Sequence, residues 1–410
     1  MPQRSMASRA AMPARIIGQV NASVAPNAQK TGDDRVIQRP RPPKALAYAL
    51  LPPSAWGMET RQAAAKRGDS PMRTRYRIER RALLTGGTAL VLSAVAGARV
   101  PLAQTLEKLS FQTNWRAQAE HGGYYLALAN GLYRRAGIDC EIRMGGPQQN
   151  PAQLLLAGRV DMIMSSGFQA LNYVRENIPF MAIGAIMQKD PQGFMFHAEA
   201  GFTSFEQMRG KPILVGAGGR VTYWPFLRRR FGFTDSQIRP YTFNIQPFLA
   251  DKQAIQQCFV SSEPFAARLG GADPRVLLFA DAGFPNYQTT IDISRKLVEE
   301  KPDLIQRFVD ATMQGWTQYL RGQDVAAANA LIMRDNQEMT QEKIDYAVRA
   351  LNERGIVFSG DAERLGVGAM TDERWEAFYT AMRDAEVMPP GLDVKRAYSL
   401  RFVNRRVGLA

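Results

Sequence analysis

Short apolar runs alternate with amphipathic helical stretches along the chain from residue 108 onward. Leu109, Phe111 and Thr113 occupy alternate positions, as on one face of a strand, and a helical pattern over 122–135 ends at Gly137. In chain order, the pattern then predicts a strand at 138–144, a helix at 151–156, a strand at 160–164, a helix at 168–176 and a strand at 180–187. Elements in this order predict one lobe built on a parallel sheet with helices on its faces.

A second group of strands follows a loop at 190–193. It consists of predicted strands at 212–215, 240–243, 257–260 and 276–280, with a glycine-rich turn at 216–219 and a helix at 221–231. A strand pattern returns at 287–293, and helices are predicted at 301–321, 325–334, 341–353 and 373–385. We therefore predict an α/β fold with two lobes, a ligand cleft between them at the carboxyl ends of the strands, and a helical C-terminal region.

The chain crosses between the lobes twice in this arrangement. We assign residues 104–192 and 286–410 to the first lobe and residues 193–285 to the second lobe. Ligand binding is expected to close hinges near 192–196 and 283–288.

The basic excess of the sequence lies in its first quarter. The 410 residues carry a formal net charge of +14, and residues 1–103 hold 17 of the 52 Lys and Arg residues and 5 of the 38 Asp and Glu residues, which leaves 35 against 33 in the remainder. Binding to a phosphate backbone requires a concentrated basic face. We therefore predict that the folded part binds no nucleic acid.

Residues 72–103 have the organisation of an export signal. Arg80 and Arg81 precede an apolar stretch at 82–98 that ends in small residues, and the arginine pair followed by Ala-Leu-Leu resembles a twin-arginine signal. Glycine, threonine and serine interrupt the stretch, which disfavours a spanning helix of roughly 20 apolar residues and leaves an uncleaved anchor as the alternative. We expect export by the twin-arginine translocase, signal cleavage and a soluble periplasmic protein.

Residues 1–71 precede this signal and hold 9 of the 24 prolines without sustained apolar periodicity. Such a segment cannot bury enough apolar surface to order itself. Since Met72 lies where a signal peptide would begin, we interpret residues 1–71 as either a disordered tail or a misassigned upstream extension.

The sequence offers little for covalent or metal chemistry. Cys140 and Cys258 lie in apolar strand-like runs of different predicted lobes, so we expect buried free thiols, although a disulfide is permitted outside the cytoplasm. The motifs H-E-x-x-H, C-x-x-C and G-x-S-x-G do not occur, and there are only two histidines. We predict no catalytic residues, no metal and no cofactor.

An ordered set of motifs spans residues 107–385. It includes Thr113-Asn114-Trp115, Glu120-His121-Gly122-Gly123-Tyr124-Tyr125, Ala157-Gly158-Arg159-Val160-Asp161, Gln188-Lys189-Asp190-Pro191, Pro247-Phe248-Leu249-Ala250-Asp251-Lys252 and Ser262-Glu263-Pro264-Phe265. The set resembles the periplasmic binding proteins of ABC importers for nitrate, sulfonates and thiamine-pyrimidine or riboflavin-like heterocycles. The resemblance implies the two-lobed, type II-like periplasmic binding protein fold, a small-molecule ligand, and a membrane permease with its cytoplasmic ATPase as partners.

The same family includes the fungal thiamine pyrimidine synthase, which consumes its own histidine and binds pyridoxal phosphate on a lysine. The resemblance places Ser165 at the position of that lysine and Gln169 at that of the histidine, and residues 286–290 lack the cysteine-rich iron-binding motif. Because a Schiff base requires an amine, we expect no synthase activity.

Candidate ligand-binding residues lie at predicted strand ends and helix starts. The resemblance places Trp115 as an aromatic platform for a planar ring, and His121 opens a helix whose N–H groups could face a ligand. Glu263 offers hydrogen-bond acceptors to the edge of a heterocycle. The alternatives are a core tryptophan, a surface or N-capping histidine and a solvated carboxylate.

The other candidates carry weaker signals. Ser165 and Ser166 end a strand, so their hydroxyls either face the cleft or cap the next helix, and Gly218 lies in a glycine-rich turn that lacks the Lys-Ser/Thr of a P-loop. Tyr223 and Trp224 are expected to close an aromatic clamp from the second lobe, with at least one of them in the core. The remaining candidates are Asn114, Phe168, Gln188 and Asn244.

Together these residues predict a binding component of an ABC transporter rather than an enzyme. The expected ligand is a small nitrogen heterocycle, either a thiamine pyrimidine precursor or a riboflavin-like molecule. A sulfonate or nitrate binder is the alternative, which Arg220 keeps open, and a synthase-like enzyme is less favoured.

Overall fold

The computed structural model describes residues 105–146 and 149–409. The predicted extension at 1–71 and the predicted export signal at 72–103 lie outside the described residues. Of the helices in the described part, none is long and apolar enough to cross a membrane.

The described residues form two five-stranded sheets. In chain order the strands are β1 (Glu107–Gln112), β2 (Ile138–Arg143), β3 (Met162–Ser166), β4 (Phe180–Met187), β5 (Gln192–His197), β6 (Ile213–Val215), β7 (Ile238–Pro240), β8 (Ile255–Phe259), β9 (Pro274–Leu278) and β10 (Gln288–Ser294). The first sheet has the order β2-β1-β3-β10-β4 and the second the order β7-β6-β8-β5-β9. We call each sheet, with the helices packed on it, the first and the second lobe.

Helices connect and cover these strands. In chain order they are α1 (Gly122–Ala129), α2 (Leu132–Arg135), α3 (Pro151–Leu156), α4 (Gly167–Arg175), α5 (Ala217–Val221), α6 (Trp224–Phe231), α7 (Gln246–Ala250), α8 (Glu263–Leu269), α9 (Arg295–Glu300), α10 (Pro302–Leu320), α11 (Ala326–Asp335), α12 (Gln341–Glu353), α13 (Ala362–Leu365) and α14 (Asp372–Asp384). Helices α10 to α14 form the predicted helical C-terminal region, and α10 and α11 pack on α1 of the first lobe.

Both sheets are mixed, whereas the sequence predicted a parallel sheet for the first lobe. Strands β1, β2 and β3 are parallel, but β10 runs antiparallel to β3 and β4 and lies between them. In the second sheet, β5 is antiparallel to β8 and β9. The antiparallel strands are the ones that the chain forms immediately after each crossing between lobes.

Close packing of α1 against α10 sets the start of α1. A Cβ atom on Gly123 would overlap the indole of Trp316, and one on Gly122 would overlap the ring of Tyr319. Because only glycine permits this approach, α10 holds the first turn of α1 against the first lobe. The residues just before that turn, Glu120 and His121, are thereby placed at the mouth of the lobe.

Two predicted elements need correction in detail. The single helix expected over 122–135 is divided at Gly131, whose φ of +69° interrupts helical geometry between α1 and α2. The glycine-rich turn at 216–219 is largely helical and belongs to α5. The free cysteines Cys140 and Cys258 are both buried, one in each lobe, as predicted.

Candidate ligand-binding cleft

A cleft lies between the two lobes, where the carboxyl ends of β1, β3 and β8 meet. Its inner part, which we call the inner chamber, has a volume of about 220 Å³. The chamber is lined by Asn114, Trp115, Gln118, Glu120, His121, Met164, Met187, Phe243, Gln257, Phe259, Ser262, Glu263, Gln288 and Thr289. Both lobes therefore contribute to its wall.

A wider space of about 930 Å³, which we call the outer cleft, adjoins the inner chamber. Trp115, Glu120, Phe243 and Glu263 line both spaces, while Asn244 lines only the outer cleft. Of the predicted site residues, Asn114, Trp115, His121, Glu263 and Asn244 thus come together around one cleft.

An aromatic pair spans the cleft. Trp115 follows β1 of the first lobe, and Phe243 follows β7 of the second lobe, with the two ring centroids 5.3 Å apart. Phe243 is 59% exposed and has a φ of +61°, a left-handed conformation that is unusual for a bulky residue. Tyr241 supports it from behind, at a centroid distance of 5.1 Å.

Two glutamates face the inner chamber from opposite lobes. Glu120 belongs to a single 3₁₀ turn, Ala119–His121, and the Ser261 hydroxyl of the second lobe donates a hydrogen bond to its carboxylate. Glu263 begins α8, where its carboxylate accepts hydrogen bonds from the Phe259 N–H at 2.8 Å and from the Tyr241 hydroxyl at 3.1 Å. Ser261 therefore connects the lobes through Glu120.

The electrostatics of the chamber follow from its burial. Burial raises the pKa of Glu120, and the Ser261 hydrogen bond partly opposes that shift. Burial also raises the pKa of Glu263, and the nearby negative charge of Glu120 adds to the increase. Two acidic groups that share a poorly hydrated space each disfavour the charge of the other.

His121 is neutral in this environment, since burial lowers its pKa to about 3. Its Nδ1 accepts a hydrogen bond from the Gln118 N–H at 3.3 Å, so the ring proton lies on Nε2. Among the described residues Nε2 has no hydrogen-bond partner, and the side chain lines the chamber. The histidine is therefore positioned as a hydrogen-bond donor to a ligand.

The aromatic clamp predicted from Tyr223 and Trp224 is corrected by the structure. Both side chains are fully buried in the second lobe, and the Trp224 Nε1–H donates to Asp235 at 3.0 Å. The apolar face of α6 turns these residues toward the sheet rather than the cleft. The Tyr223 hydroxyl donates to the Gln257 side chain at 2.8 Å, so it orients a chamber residue from behind.

The remaining predicted site residues have structural roles or lie away from the cleft. Ser166 caps α4 by accepting the Gln169 N–H at 3.4 Å, and Phe168 packs in the core of the first lobe. Gln188 is fully buried and donates to the carbonyls of Ala185 and Ala369. Ser165 is buried opposite Thr290 in the sheet, and Gly218 is exposed on α5; neither lines the cleft. The polar side chains of Ser166 and Gln188 thus serve helix capping and backbone hydrogen bonding.

A buried acid lies in the first sheet opposite Ile163, two positions along β10 from the residue that pairs with Ser165. Asp292 of β10 is fully buried, and neither of its carboxylate oxygens has a hydrogen-bond partner within the described part of the chain. Burial raises its pKa to about 7, and the hydroxyl groups of Thr290, Ser165 and Tyr173, which lie near the carboxylate without meeting hydrogen-bond geometry, partly oppose the increase.

The two crossings between lobes are tied together. The Asn286 side-chain N–H donates to Asp190 at 2.8 Å, and Arg374 of α14 donates to the carbonyls of Gln188 and Pro285. The hinge predicted at 192–196 is corrected, because those residues form β5 inside the second sheet. The first crossing is the shorter segment 188–191, which ends where β5 pairing begins.

Residues 118–326 match the family model described as NMT1/THI5 like. The chain is 22% identical over 320 residues to the riboflavin-binding protein RibY of Chloroflexus aurantiacus, with 76% of this chain and 90% of that protein covered. It is 22% identical over 275 residues to the formylaminopyrimidine-binding protein of Halalkalibacterium halodurans, with 63% and 83% covered.

The fold is that of a solved periplasmic binding protein. The periplasmic aliphatic sulphonate binding protein SsuA from Escherichia coli superposes with a TM-score of 0.54 at 12% identity, covering 71% of this chain and 91% of that one. The two-lobed periplasmic binding protein fold predicted from the sequence is therefore confirmed.

A shorter likeness connects the chain with an enzyme. The 4-amino-5-hydroxymethyl-2-methylpyrimidine phosphate synthase of Aspergillus parasiticus is 26% identical over 117 residues, which is 28% of this chain and 34% of that enzyme. The residues here do not fit the lysine-bound pyridoxal phosphate and the iron site that the sequence resemblance to the synthase implies. No lysine lines the inner chamber, Lys343 of the outer cleft donates to the Glu338 carbonyl at 2.6 Å, and the described residues contain no group of three or more His, Cys, Asp or Glu side chains arranged to hold a metal ion.

Proposed function

Because the chain belongs to the NMT1/THI5-like family, we propose that it is the extracytoplasmic solute-binding component of an ABC importer. Its ligand is a small nitrogen heterocycle that is captured between the two lobes. The permease and its cytoplasmic ATPase are the partners that receive the ligand.

The observation that carries this proposal is the pair of glutamates in the inner chamber. Glu120 and Glu263 present hydrogen-bond acceptors from opposite lobes, and the His121 Nε2–H is a donor. An aminopyrimidine has the complementary edge, since its amino group donates and its ring nitrogen accepts. Trp115 and Phe243 supply aromatic faces that suit a planar ring.

Chamber size favours a single ring. A space of about 220 Å³ suits a pyrimidine with small substituents, and a fused flavin ring system would extend past the Trp115–Phe243 pair into the outer cleft. The two relatives are named for riboflavin and for formylaminopyrimidine. We place the aminopyrimidine first because it satisfies the acceptors and donor of the inner chamber by itself.

A sulfonate or nitrate ligand lacks support in the cleft. An anion requires cationic or N–H donors, yet the inner chamber contains two acidic side chains and a neutral histidine. Arg220 is exposed and lines neither space, and Arg116 of the outer cleft forms an ion pair with Glu338 at 2.7 Å.

We further propose that the protein binds without catalysis and works in the periplasm. Ser165 stands where the synthase relatives have their lysine by resemblance, so no amine is available for a Schiff base. The arginine pair and apolar stretch within 72–103 support export by the twin-arginine translocase and subsequent removal of the signal.

A ligand panel tests the function. The melting temperature of the purified protein is measured with 4-amino-5-hydroxymethyl-2-methylpyrimidine, riboflavin, an alkanesulfonate and nitrate. A ligand at 100 times its Kd stabilises the folded state by about 2.7 kcal/mol. We expect a saturable increase with the aminopyrimidine. An increase with the sulfonate or nitrate alone would overturn the ligand assignment.

A second measurement tests the absence of synthase chemistry. The protein is incubated with pyridoxal phosphate and borohydride, and its mass is determined. We expect no reduced adduct on a cleft residue, whereas an adduct there together with pyrimidine production would show an enzyme.

A further inference from the structure

A second groove, with a volume of about 630 Å³, lies beside the contact between α8 and α12. It uses different faces of these helices from those that line the outer cleft. Pro264 and Tyr346 line the groove, whereas Phe265 and Lys343 line the outer cleft. The groove is therefore separate from the proposed ligand site.

Four arginines line this groove: Arg268, Arg275, Arg349 and Arg354. Glu353 is the single acidic side chain in the lining, and Arg275 is paired with Asp273 at 2.8 Å. Within the described part of the chain the other three arginines form no ion pair. The groove thus carries a concentrated positive charge that the protein itself leaves largely uncompensated.

Buried aromatic side chains form the floor of the groove. Phe196 and Tyr346 are buried, and the Tyr346 hydroxyl donates to the Val260 carbonyl at 3.2 Å, which ties α12 to the second lobe. The Arg268 guanidinium lies 5.3 Å from the centre of the Tyr346 ring. Stacking on an aromatic face orients a guanidinium and leaves its N–H groups available to an anion.

We infer that this groove is a binding site for a small anion with two or more negative charges, of the diphosphate or polycarboxylate class. Guanidinium groups bind phosphate and carboxylate oxygens through paired hydrogen bonds. The second lobe contributes Arg268 and Arg275, and α12 contributes Arg349 or the adjoining Arg354. Two separated charges on the ligand allow it to contact both walls at once.

An anion bound there connects the second lobe with α12. Since α12 also packs against the 3₁₀ turn that carries Glu120, the anion stabilises the arrangement in which the lobes are together. Anion binding at the groove does not depend on which heterocycle the cleft binds.

Calorimetric titration with pyrophosphate tests the site, in a buffer with about 100 mM NaCl, where charges more than about 10 Å apart are screened. We expect one saturable site per chain. The variant Arg349→Gln/Arg354→Gln is expected to bind pyrophosphate at least tenfold more weakly. The matched control Arg134→Gln/Arg159→Gln removes two exposed arginines of the first lobe that line neither the groove nor the cleft, and it is expected to bind like the unchanged protein.

Two controls separate loss of the groove site from damage to the cleft or to the fold. Trp115→Ala is expected to retain pyrophosphate binding, because that residue lies in the cleft. The double variant in the groove is expected to retain its melting temperature in the absence of pyrophosphate, since both arginines are exposed. Lack of saturable binding, or equal weakening in the two double variants, would overturn the inference.

Discussion

Trp115 and Phe243 contact each other from opposite lobes, with ring centroids 5.3 Å apart and ring planes inclined by 47°. The contact occurs where the inner chamber meets the outer cleft, since both residues line both spaces. A ligand that passes from the outer cleft into the chamber therefore comes close to this pair. The pair therefore joins the two lobes across the cleft.

Replacement of Trp115 tests its part in ligand binding. Trp115→Ala is expected to weaken binding of the heterocycle about tenfold or more, because an aromatic pair contributes about 0.5–1.5 kcal/mol beyond the area that it buries, and 1.4 kcal/mol is a factor of ten. Trp115→Phe is expected to retain most of the affinity. Calorimetric titration measures both, and an unchanged Kd in Trp115→Ala would contradict the assignment.

The left-handed backbone conformation of Phe243 can be tested by comparing alanine and glycine at this position. Phe243→Ala and Phe243→Gly both remove the ring, but only glycine adopts the φ of +61° without cost. Since the left-handed conformation costs an L-residue roughly 1–2 kcal/mol, we expect Phe243→Gly to have the higher free energy of unfolding. Urea denaturation measures it. Equal stability of the two variants would show that the loop relaxes.

The carboxylate of Glu263 is expected to accept from the amino group of the ligand. Glu263→Gln replaces one acceptor by an N–H donor, so affinity for the aminopyrimidine should fall at least tenfold. Glu376→Gln, at an exposed position of α14, should leave the affinity unchanged. Protonation of the carboxyl removes the same acceptor. Because burial raises the pKa of Glu263 above 4.5, affinity should decrease on acidification before an ordinary glutamate would titrate. A Kd that stays constant until the pH falls below 4.5 would argue against this role.

The buried Asp292 predicts how stability depends on pH. Its pKa rises from 3.8 to about 7 on folding, so between these values the folded state binds more protons than the unfolded state. The contribution of this group to the free energy of unfolding therefore falls by up to about 4 kcal/mol as the pH rises from about 4 to about 7. Asp292→Asn should reduce the loss of unfolding free energy with rising pH and raise the melting temperature at pH 8. The control Asp139→Asn, at an exposed position, should change neither. An unchanged pH profile in Asp292→Asn would refute the prediction.

Periodicity in the sequence was sufficient to predict most of the architecture. Helices α3 and α12 and strand β4 have the predicted bounds, because each carries an uninterrupted apolar pattern between clear end signals. The sequence predicts a loop at 190–193 and a hinge near 192–196, where the structure has strand β5. Its Gly193 resembles a turn residue, but in the sheet it is required because a Cβ atom there would overlap the backbone of Leu277.

The cleft was only partly predictable. Trp115, His121 and Glu263 could be proposed because they follow strands or begin helices, which places them at one edge of a sheet. Trp224 was misplaced because local sequence does not show which face of a helix packs on the sheet. Phe243 was missed because its exposure depends on the backbone conformation of a single loop residue. Glu120 belongs to one of the motifs, but its position depends on Ser261, which lies 141 residues away in the chain.

The position of β10 determines the order in which the lobes can be completed during synthesis. The second sheet is made from one continuous segment, whereas the strand that pairs with β4 in the first sheet is β10, which leaves the ribosome about a hundred residues later. Every side chain of β4 is buried in the finished protein. A nascent chain therefore holds an apolar strand without its sheet partner while the second lobe is synthesised.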